Sequence, residues 1–117
     1  MLGLSFKPGT DVIEASQGIE LARSLAADGI PVSVFDPVAG EGALEVLGDS
    51  VRVSVSLEEC VDGAAVVVAT AWPEFRRLPL DGEGPRPVVI DCWRSVEPTP
   101  GFRHVPLGRG PIAEKKP

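Results

Sequence analysis

The sequence predicts a three-layer α/β fold, in which an open and mostly parallel sheet is flanked by helices on both faces. Short apolar runs alternate with segments of helical periodicity along the chain. The run at 64–70, AAVVVAT, is unbroken and apolar, which is typical of a strand covered on both faces. The run at 31–35, PVSVF, follows directly on a helical segment, which itself follows a strand. This order implies a right-handed parallel crossover.

Each element has its own signals. Leu2 to Phe6 alternates apolar with small residues and stops at a turn, as a short strand does. Ser16 can cap the first helix and Gly29 can close it in the left-handed conformation. Ser56 can cap a later helix, with Glu59 at the capping-box spacing. In chain order we predict a strand at 2–6, a helix at 17–29, a strand at 31–35, a helix at 40–48, a strand at 51–55, a helix at 56–63, a strand at 64–70, a short helix at 73–78, a strand at 87–91 and an edge strand at 102–107.

This alternation predicts a Rossmann-like sheet within one domain. A chain of 117 residues with 44% hydrophobic and 24% charged residues is long enough to bury a single core. We expect the domain to occupy residues 1–105. Residues 106–117 carry no packing signal and are expected to form a flexible tail.

Composition argues against several classes of partner. A net charge of -6 leaves no broad cationic surface for nucleic acid. No apolar run approaches the roughly 18 residues of a membrane span, and no signal sequence is evident, so we expect a cytoplasmic protein with no membrane partner. Cys60 and Cys92 lie far apart without metal-ligand spacing, and we expect both to be small core residues, with no metal site.

Ligands of such sheets bind beyond the carboxyl ends of the strands, so the loops there are candidate sites. The loop after the first strand, KPGTDVIEAS, offers a cation at Lys7, backbone amides near Gly9 and Thr10, and a helix start near Ser16. This combination suits an anion such as phosphate. The alternative is that Lys7 simply extends into water, as most lysines do.

Two other loops carry open alternatives. Asp36 resembles the acid that holds a ribose hydroxyl in dinucleotide sites, but no G-x-G-x-x-G follows the first strand, so closing the turn at Pro37 is its simpler role. Trp72 could stack on a nucleobase, although packing its loop onto the sheet is favoured. Arg94 could hold a phosphate bidentately or form an ion pair with Asp91. We expect Arg76 and Arg77 to be solvated, and His104 lacks the partners of a catalytic acid or base.

Four stretches resemble the carboxy-terminal, UDP-binding domain of the UDP-glucose/GDP-mannose dehydrogenase family. They occur in the family's order and span most of the chain. The stretches are LGLSFKPGTD, VSVFDPVA, VVVATAWPEFRRL and VVIDCWR. No single stretch is specific, but all four in this order are hard to obtain by chance.

The resemblance implies a role within a larger enzyme. Complete members carry an amino-terminal NAD-binding domain, a central helical segment used in dimerisation, and this last domain, which closes over the nucleotide of the sugar substrate. They oxidise a sugar C6 alcohol to a carboxylate in two NAD-dependent steps through a cysteine thioester. The motif of that cysteine is absent here. We therefore expect no dehydrogenase activity and no cofactor for this chain alone, and we leave homodimerisation open.

The resemblance also implies a set of substrate-binding residues. Lys7 matches the family lysine that faces the substrate, and Phe6 is its neighbour. With the loop residues Gly9 and Thr10 and with Arg94, they form the expected site for a UDP-sugar.

Three positions depart from the family pattern. Val12 and Glu14 stand where the family has an aspartate and an arginine, and Arg94 comes one place late. Because Glu14 reverses a charge beside a pyrophosphate, an NAD contact there is not expected. These departures motivate the alternative of a degenerate domain kept for assembly without a ligand.

Overall fold

The computed structural model describes residues 1–5, 9, 16–62, 65–80 and 86–108. Within them the predicted alternation of strands and helices is confirmed. The strands are β1 (Ser33–Val34), β2 (Arg52–Val53), β3 (Ala65–Val68), β4 (Val88–Asp91) and β5 (Arg103–Pro106). The α-helices are α1 (Gln17–Ala27), α2 (Gly40–Leu47) and α3 (Leu57–Cys60), and single 3-10 turns cover Gly48–Ser50 and Pro73–Phe75.

The first residues of the chain lie in the middle of the sheet. β1 pairs with β2, β4 lies between β3 and β5, and all these pairings are parallel. Leu2 joins the two groups, because it bridges Phe35 on one side and Val68 on the other. The resulting order is β2, β1, residues 1–3, β3, β4, β5, which is the 3-2-1-4-5-6 order of the Rossmann fold. The predicted edge strand is confirmed as β5, and Phe6 lies outside the described residues.

Hydrogen bonds hold this central segment on both sides. The amide of Leu2 donates to the Val67 carbonyl at 2.7 Å, and the amide of Ala69 donates to the Leu2 carbonyl at 2.8 Å. On the other side, the amide of Gly3 donates to the Phe35 carbonyl at 2.8 Å, and the amide of Phe35 donates to the Met1 carbonyl at 3.0 Å. The segment therefore behaves as a short parallel strand between β1 and β3.

Both predicted helix caps are present. The Ser16 hydroxyl accepts a hydrogen bond from the Ile19 amide at 3.2 Å, and Gly29 follows α1 with φ +81°. The Ser56 hydroxyl accepts from the Glu59 amide at 3.2 Å. The Glu59 carboxylate in turn accepts from the Val55 amide at 3.3 Å, one residue before the cap position that a capping box uses.

Two apolar clusters show that the sheet is covered on both faces. Val66 and Val68 of β3 belong to one cluster, whereas Val67 and Ala69 pack against the other. Because successive residues of a strand point to opposite faces, the clusters lie on opposite sides of the sheet. The first contains Cys60, Val61, Trp72, Phe75 and Phe102, and the second contains Ile19 and Ala22 of α1 with Ala43 and Leu47 of α2. The three-layer prediction is confirmed. Cys60 is a core residue as expected, whereas the same expectation is wrong for Cys92, which is half-buried and belongs to neither cluster.

Two glycines bring the start of α1 against the central segment. Gly3 has φ +102°, and a Cβ there would lie 2.5 Å from the Thr70 amide nitrogen. A Cβ on Gly18 would overlap the Gly3 carbonyl oxygen. Only glycine allows backbones to approach this closely. The pair therefore fixes the beginning of α1 at the carboxyl edge of the sheet.

Candidate functional site

The carboxyl edge of the sheet is organised around Asp36, which directly follows the β1 segment. Its side chain is 5% exposed. Oδ1 accepts hydrogen bonds from the amides of Val38 at 3.0 Å and Ala39 at 2.9 Å. Ala39 is the residue that precedes α2. Asp36 therefore closes its own turn, as predicted, and orients the start of α2.

The second carboxylate oxygen of Asp36 connects three loops. Oδ2 accepts from the amides of Leu4 at 2.8 Å and Ser5 at 3.0 Å, and from the Ser5 hydroxyl at 2.7 Å. The indole nitrogen of Trp72 donates to the same oxygen at 3.1 Å. One carboxylate therefore contacts three segments, namely those that follow the central strand, β1 and β3. The sequence did not predict the contacts of Ser5.

Trp72 packs its loop onto the sheet, which confirms the favoured interpretation. It is buried within the first apolar cluster. Its indole also donates to the Ser5 hydroxyl at 3.0 Å, and the nearby Thr70 hydroxyl donates to the Ser5 carbonyl at 2.9 Å. The ring is occupied by these contacts and by the core, so it offers no open face to a nucleobase.

A second buried carboxylate, Asp91, fixes the turn after β4. Its side chain is fully buried, and it accepts from the amides of Ser95 at 3.0 Å and Val96 at 2.8 Å. His104 of β5 lies with Nε2 at 2.9 Å from Asp91 Oδ2. Sequence reasoning left His104 without a partner, because thirteen residues and a strand pairing separate it from Asp91.

The proposed ion pair between Asp91 and Arg94 is wrong. Within the described part of the chain, the basic side chain that contacts the Asp91 carboxylate is His104. The guanidinium of Arg94 instead donates from Nη1 to the Leu107 carbonyl at 2.9 Å. Arg94 has φ +56°, a left-handed conformation that favours glycine, and its side chain is exposed. Arg94 thus lies at the expected edge and is tied to the end of β5.

Trp93 lies at the same edge and presents most of its surface to solvent. It is 57% exposed, and its indole nitrogen donates to the Ala69 carbonyl at 2.9 Å. Since Ala69 directly follows β3 and Trp93 follows β4, the side chain spans the ends of two neighbouring strands. Sequence reasoning singled out Arg94 in this turn and missed Trp93.

Of the remaining predicted site residues, only Gly9 is described. It is exposed, with φ +84°, and no atom lies within 4 Å of the position of a Cβ. Phe6, Lys7 and Thr10 lie outside the described residues, as do Val12 and Glu14. The substrate-binding roles of Phe6, Lys7, Gly9, Thr10 and Arg94 stay predictions.

Arg76 and Arg77 form a surface ion-pair cluster rather than a free cationic site. Their Nε atoms lie 3.1 Å and 3.2 Å from the two oxygens of Glu97. With Pro73 and Glu74 they line a shallow cleft, and both of their positive charges are paired with the Glu97 carboxylate. Exposed pairs of this kind contribute little to stability. The expectation that both arginines are solvated is confirmed.

The described ranges hold neither a metal-binding cluster nor a membrane-spanning helix. No group of three or more His, Cys, Asp or Glu side chains there is placed to hold a metal ion. None of the helices in those ranges has the length and apolar character that crossing a membrane requires.

Hydrogen bonds lower the pKa of both buried carboxyls. Desolvation by burial raises the pKa of Asp36, but the donors Leu4, Val38, Ser5 and Ala39 outweigh it. Desolvation likewise raises the pKa of Asp91, and it is outweighed by the contact with His104 and by the amides of Val96 and Ser95. Both groups therefore favour the ionised form in the folded protein.

We expect acid to weaken the fold through these two carboxyls. Because their pKa values are lower in the folded than in the unfolded state, their contribution to stability is complete above about pH 4 and is lost as the pH falls through the folded values. The urea midpoint should be lower at about pH 3 than at about pH 5. The variant Asp91→Asn should show a smaller difference between these two conditions. An equal difference in the variant and the unsubstituted chain would contradict this assignment.

The strand order and the position of the loops define a class of protein, a doubly wound α/β domain of the Rossmann kind with its binding edge at the carboxyl ends of the strands. Comparison with known families identifies the family within this class. Residues 1–98 match the model of the UDP-glucose/GDP-mannose dehydrogenase family, UDP binding domain. The chain belongs to this family, and the resemblance noted in the sequence is confirmed.

Individual relatives agree with this assignment. The chain is 36% identical over 108 residues to the UDP-glucose 6-dehydrogenase AglM of Haloferax volcanii, covering 92% of this chain and 25% of that protein. It is 38% identical over 81 residues to the UDP-glucose 6-dehydrogenase YwqF of Bacillus subtilis, covering 68% and 18%. A UDP-glucose dehydrogenase structure from Pyrobaculum islandicum matches with a TM-score of 0.74 at 37% identity, over 90% of this chain and 24% of that one. The chain thus spans about a quarter of the length of such relatives.

Proposed function

We propose that this chain is the UDP-sugar-binding domain of a nucleotide-sugar dehydrogenase and holds the nucleotide diphosphate at the carboxyl edge of its sheet. The observation that carries the proposal is the match of residues 1–98 to the UDP binding domain of the dehydrogenase family. The hydrogen bonds of Asp36 support the proposal, because they fix the segments that follow three strands at the carboxyl edge, where ligands of this fold bind. The comparisons give no support to a domain kept for assembly without a ligand.

Lys7 supplies the positive charge in this proposal. It comes two residues after Ser5, whose amide and hydroxyl are both fixed on Asp36. A lysine ammonium next to backbone amides complements the charge of a diphosphate. Phe6, Gly9 and Thr10 belong to the same loop, and Arg94 adds a guanidinium at the carboxyl end of β4, two strands away from the central segment.

In this proposal, NAD binds to another domain of the complete enzyme. In a dinucleotide site, an acid at the end of the second strand accepts hydrogen bonds from a ribose. Asp36 occupies that place, but it is buried and its two oxygens already accept from five residues of this chain. A ribose does not fit there. The proposal therefore includes no cofactor for this chain alone.

The chemistry of the family also lies elsewhere in the complete enzyme. Cys60 is packed in the core. Burial and the charge of Asp91 raise the pKa of the half-buried Cys92, which is the opposite of what a thiolate nucleophile needs. We propose that the domain works with an NAD-binding and a central dimerisation domain, in the cytoplasm, and has no dehydrogenase activity by itself. Homodimerisation through the central domain is part of this proposal.

Calorimetric titration of the purified chain tests the proposal. We expect saturable binding of UDP and of a UDP-sugar, with no binding of NAD and weaker binding of GDP. Lys7→Ala should reduce UDP affinity about fivefold or more, because a charge pair at contact is worth about 1 to 4 kcal/mol in solvent-like surroundings. Its unfolding curve should not change.

Lys115→Ala is the matched control, because it removes the same charge outside the region that matches the family. It should leave UDP affinity unchanged. Equal affinities in the Lys7 variant and the unsubstituted chain would refute the role of Lys7. Absence of UDP binding at millimolar concentration would refute the proposal for the isolated chain.

A further inference from the structure

Among the described aromatic residues, only Trp93 is mostly exposed. Phe75, Phe102 and Trp72 are buried, and Phe35 packs against the first apolar cluster. Trp93 keeps 57% of its surface in water. A large apolar side chain in this situation has surface that a ligand can cover.

The side chain of Trp93 is held in one place. Both oxygens of Asp91 fix the turn that carries it, through the amides of Ser95 and Val96. The next residue, Arg94, is tied to the Leu107 carbonyl. The indole nitrogen is already bonded to the Ala69 carbonyl, so its polar edge is satisfied and its exposed surface is apolar. Little conformational freedom remains to be lost when a ligand covers the ring.

Trp93 contacts the end of β3, the strand that pairs with the central segment. Its partner Ala69 donates its amide to the Leu2 carbonyl of the central segment. The Ala69 side chain also lies 3.4 Å from where a Cβ on Gly18 would be, at the start of α1. The ring therefore lies at the carboxyl end of β3, next to the central segment, and the loop with Lys7 follows that segment in the sequence.

We propose that Trp93 is a stacking platform for the base of the bound nucleotide. This inference rests on the proposed function and adds a specificity-determining residue to it. The flat face of a nucleobase pairs well with an exposed indole, and the satisfied indole nitrogen leaves the ring face for stacking. A single stacked base changes affinity about 5- to 150-fold when its aromatic partner is removed.

The experiment compares three variants by calorimetry with UDP, UDP-glucose and inorganic pyrophosphate. Trp93→Ala should weaken UDP and UDP-glucose about fivefold or more and leave pyrophosphate unchanged. Trp93→Phe keeps a ring without the indole N–H and should recover most of the affinity. Leu107→Ala is the matched control, because Leu107 is also apolar, exposed and attached to the same turn. It should bind all three ligands as the unsubstituted chain does.

Several outcomes separate this inference from the function on which it rests. UDP binding that is unchanged in Trp93→Ala would overturn the inference and leave the proposed function intact. A loss confined to UDP-glucose would mean that the ring meets the sugar, which also overturns it. Equal losses in the Leu107 and Trp93 variants would indicate a general apolar effect and overturn stacking. If the unsubstituted chain binds no UDP, the proposed function fails and this inference fails with it.

Discussion

Asp36→Asn should lower the free energy of unfolding by about 3 kcal/mol or more. The two oxygens of Asp36 accept from two separate sets of donors, the amides of Val38 and Ala39 on one side and the Leu4, Ser5 and Trp72 donors on the other. An asparagine side chain has one oxygen, so whichever way it turns, its NH2 group faces donors. Each buried hydrogen bond to a charged group contributes about 1.5 to 3 kcal/mol.

Urea unfolding at neutral pH measures this effect. Asp62→Asn is the control, because it makes the same chemical change at an exposed residue. The control should stay within about 0.5 kcal/mol of the unsubstituted chain. A similarly small effect for the Asp36 variant would show that the three loops are held together by other contacts.

Gly18→Ala should destabilise the domain by about 1 to 3 kcal/mol, although alanine is normally the better helix residue. The added Cβ would overlap the Gly3 carbonyl oxygen, which is backbone and sits in the central segment of the sheet. The helix must move away or the segment must shift. Either adjustment also displaces the start of α1 from the binding edge.

Gly40→Ala provides a matched comparison at the first residue of α2. A Cβ there would lie 3.6 Å from a Val53 methyl group, an ordinary contact. We expect this variant to unfold at an equal or higher temperature, because alanine gains about 0.5 to 1 kcal/mol over glycine within a helix. If both variants gained stability in thermal unfolding, the close approach of Gly18 and Gly3 would not constrain the fold.

Features set by neighbouring residues were predictable from the sequence. The caps of α1 and α3, the turn at Asp36 and the buried strand β3 each depend on residue types a few positions apart. These features could therefore be predicted without knowledge of any tertiary contact. The three-layer class followed from the alternation of such local signals.

Features made by distant residues were not predictable in the same way. Ser5 meets Trp72 and Asp36 only because the central segment lies between β1 and β3. The possible pairing of Asp91 with Arg94 relied on nearness in sequence, whereas the pairing of β4 with β5 sets His104 opposite Val89 and brings it within 2.9 Å of Asp91. The close approach of Gly3 and Gly18 is equally invisible in their spacing, since glycine has many uses.

The central segment also determines how the sheet could come apart. β1 and β2 form one small parallel unit and β3, β4 and β5 form another, and Leu2 supplies the bridges between them. If residues 1–3 left their place, β1 and the apolar β3 would each become an unpaired edge, open to pairing with another molecule. Pairing of β1 or β3 with another molecule through these edges would therefore require residues 1–3 to leave the sheet first.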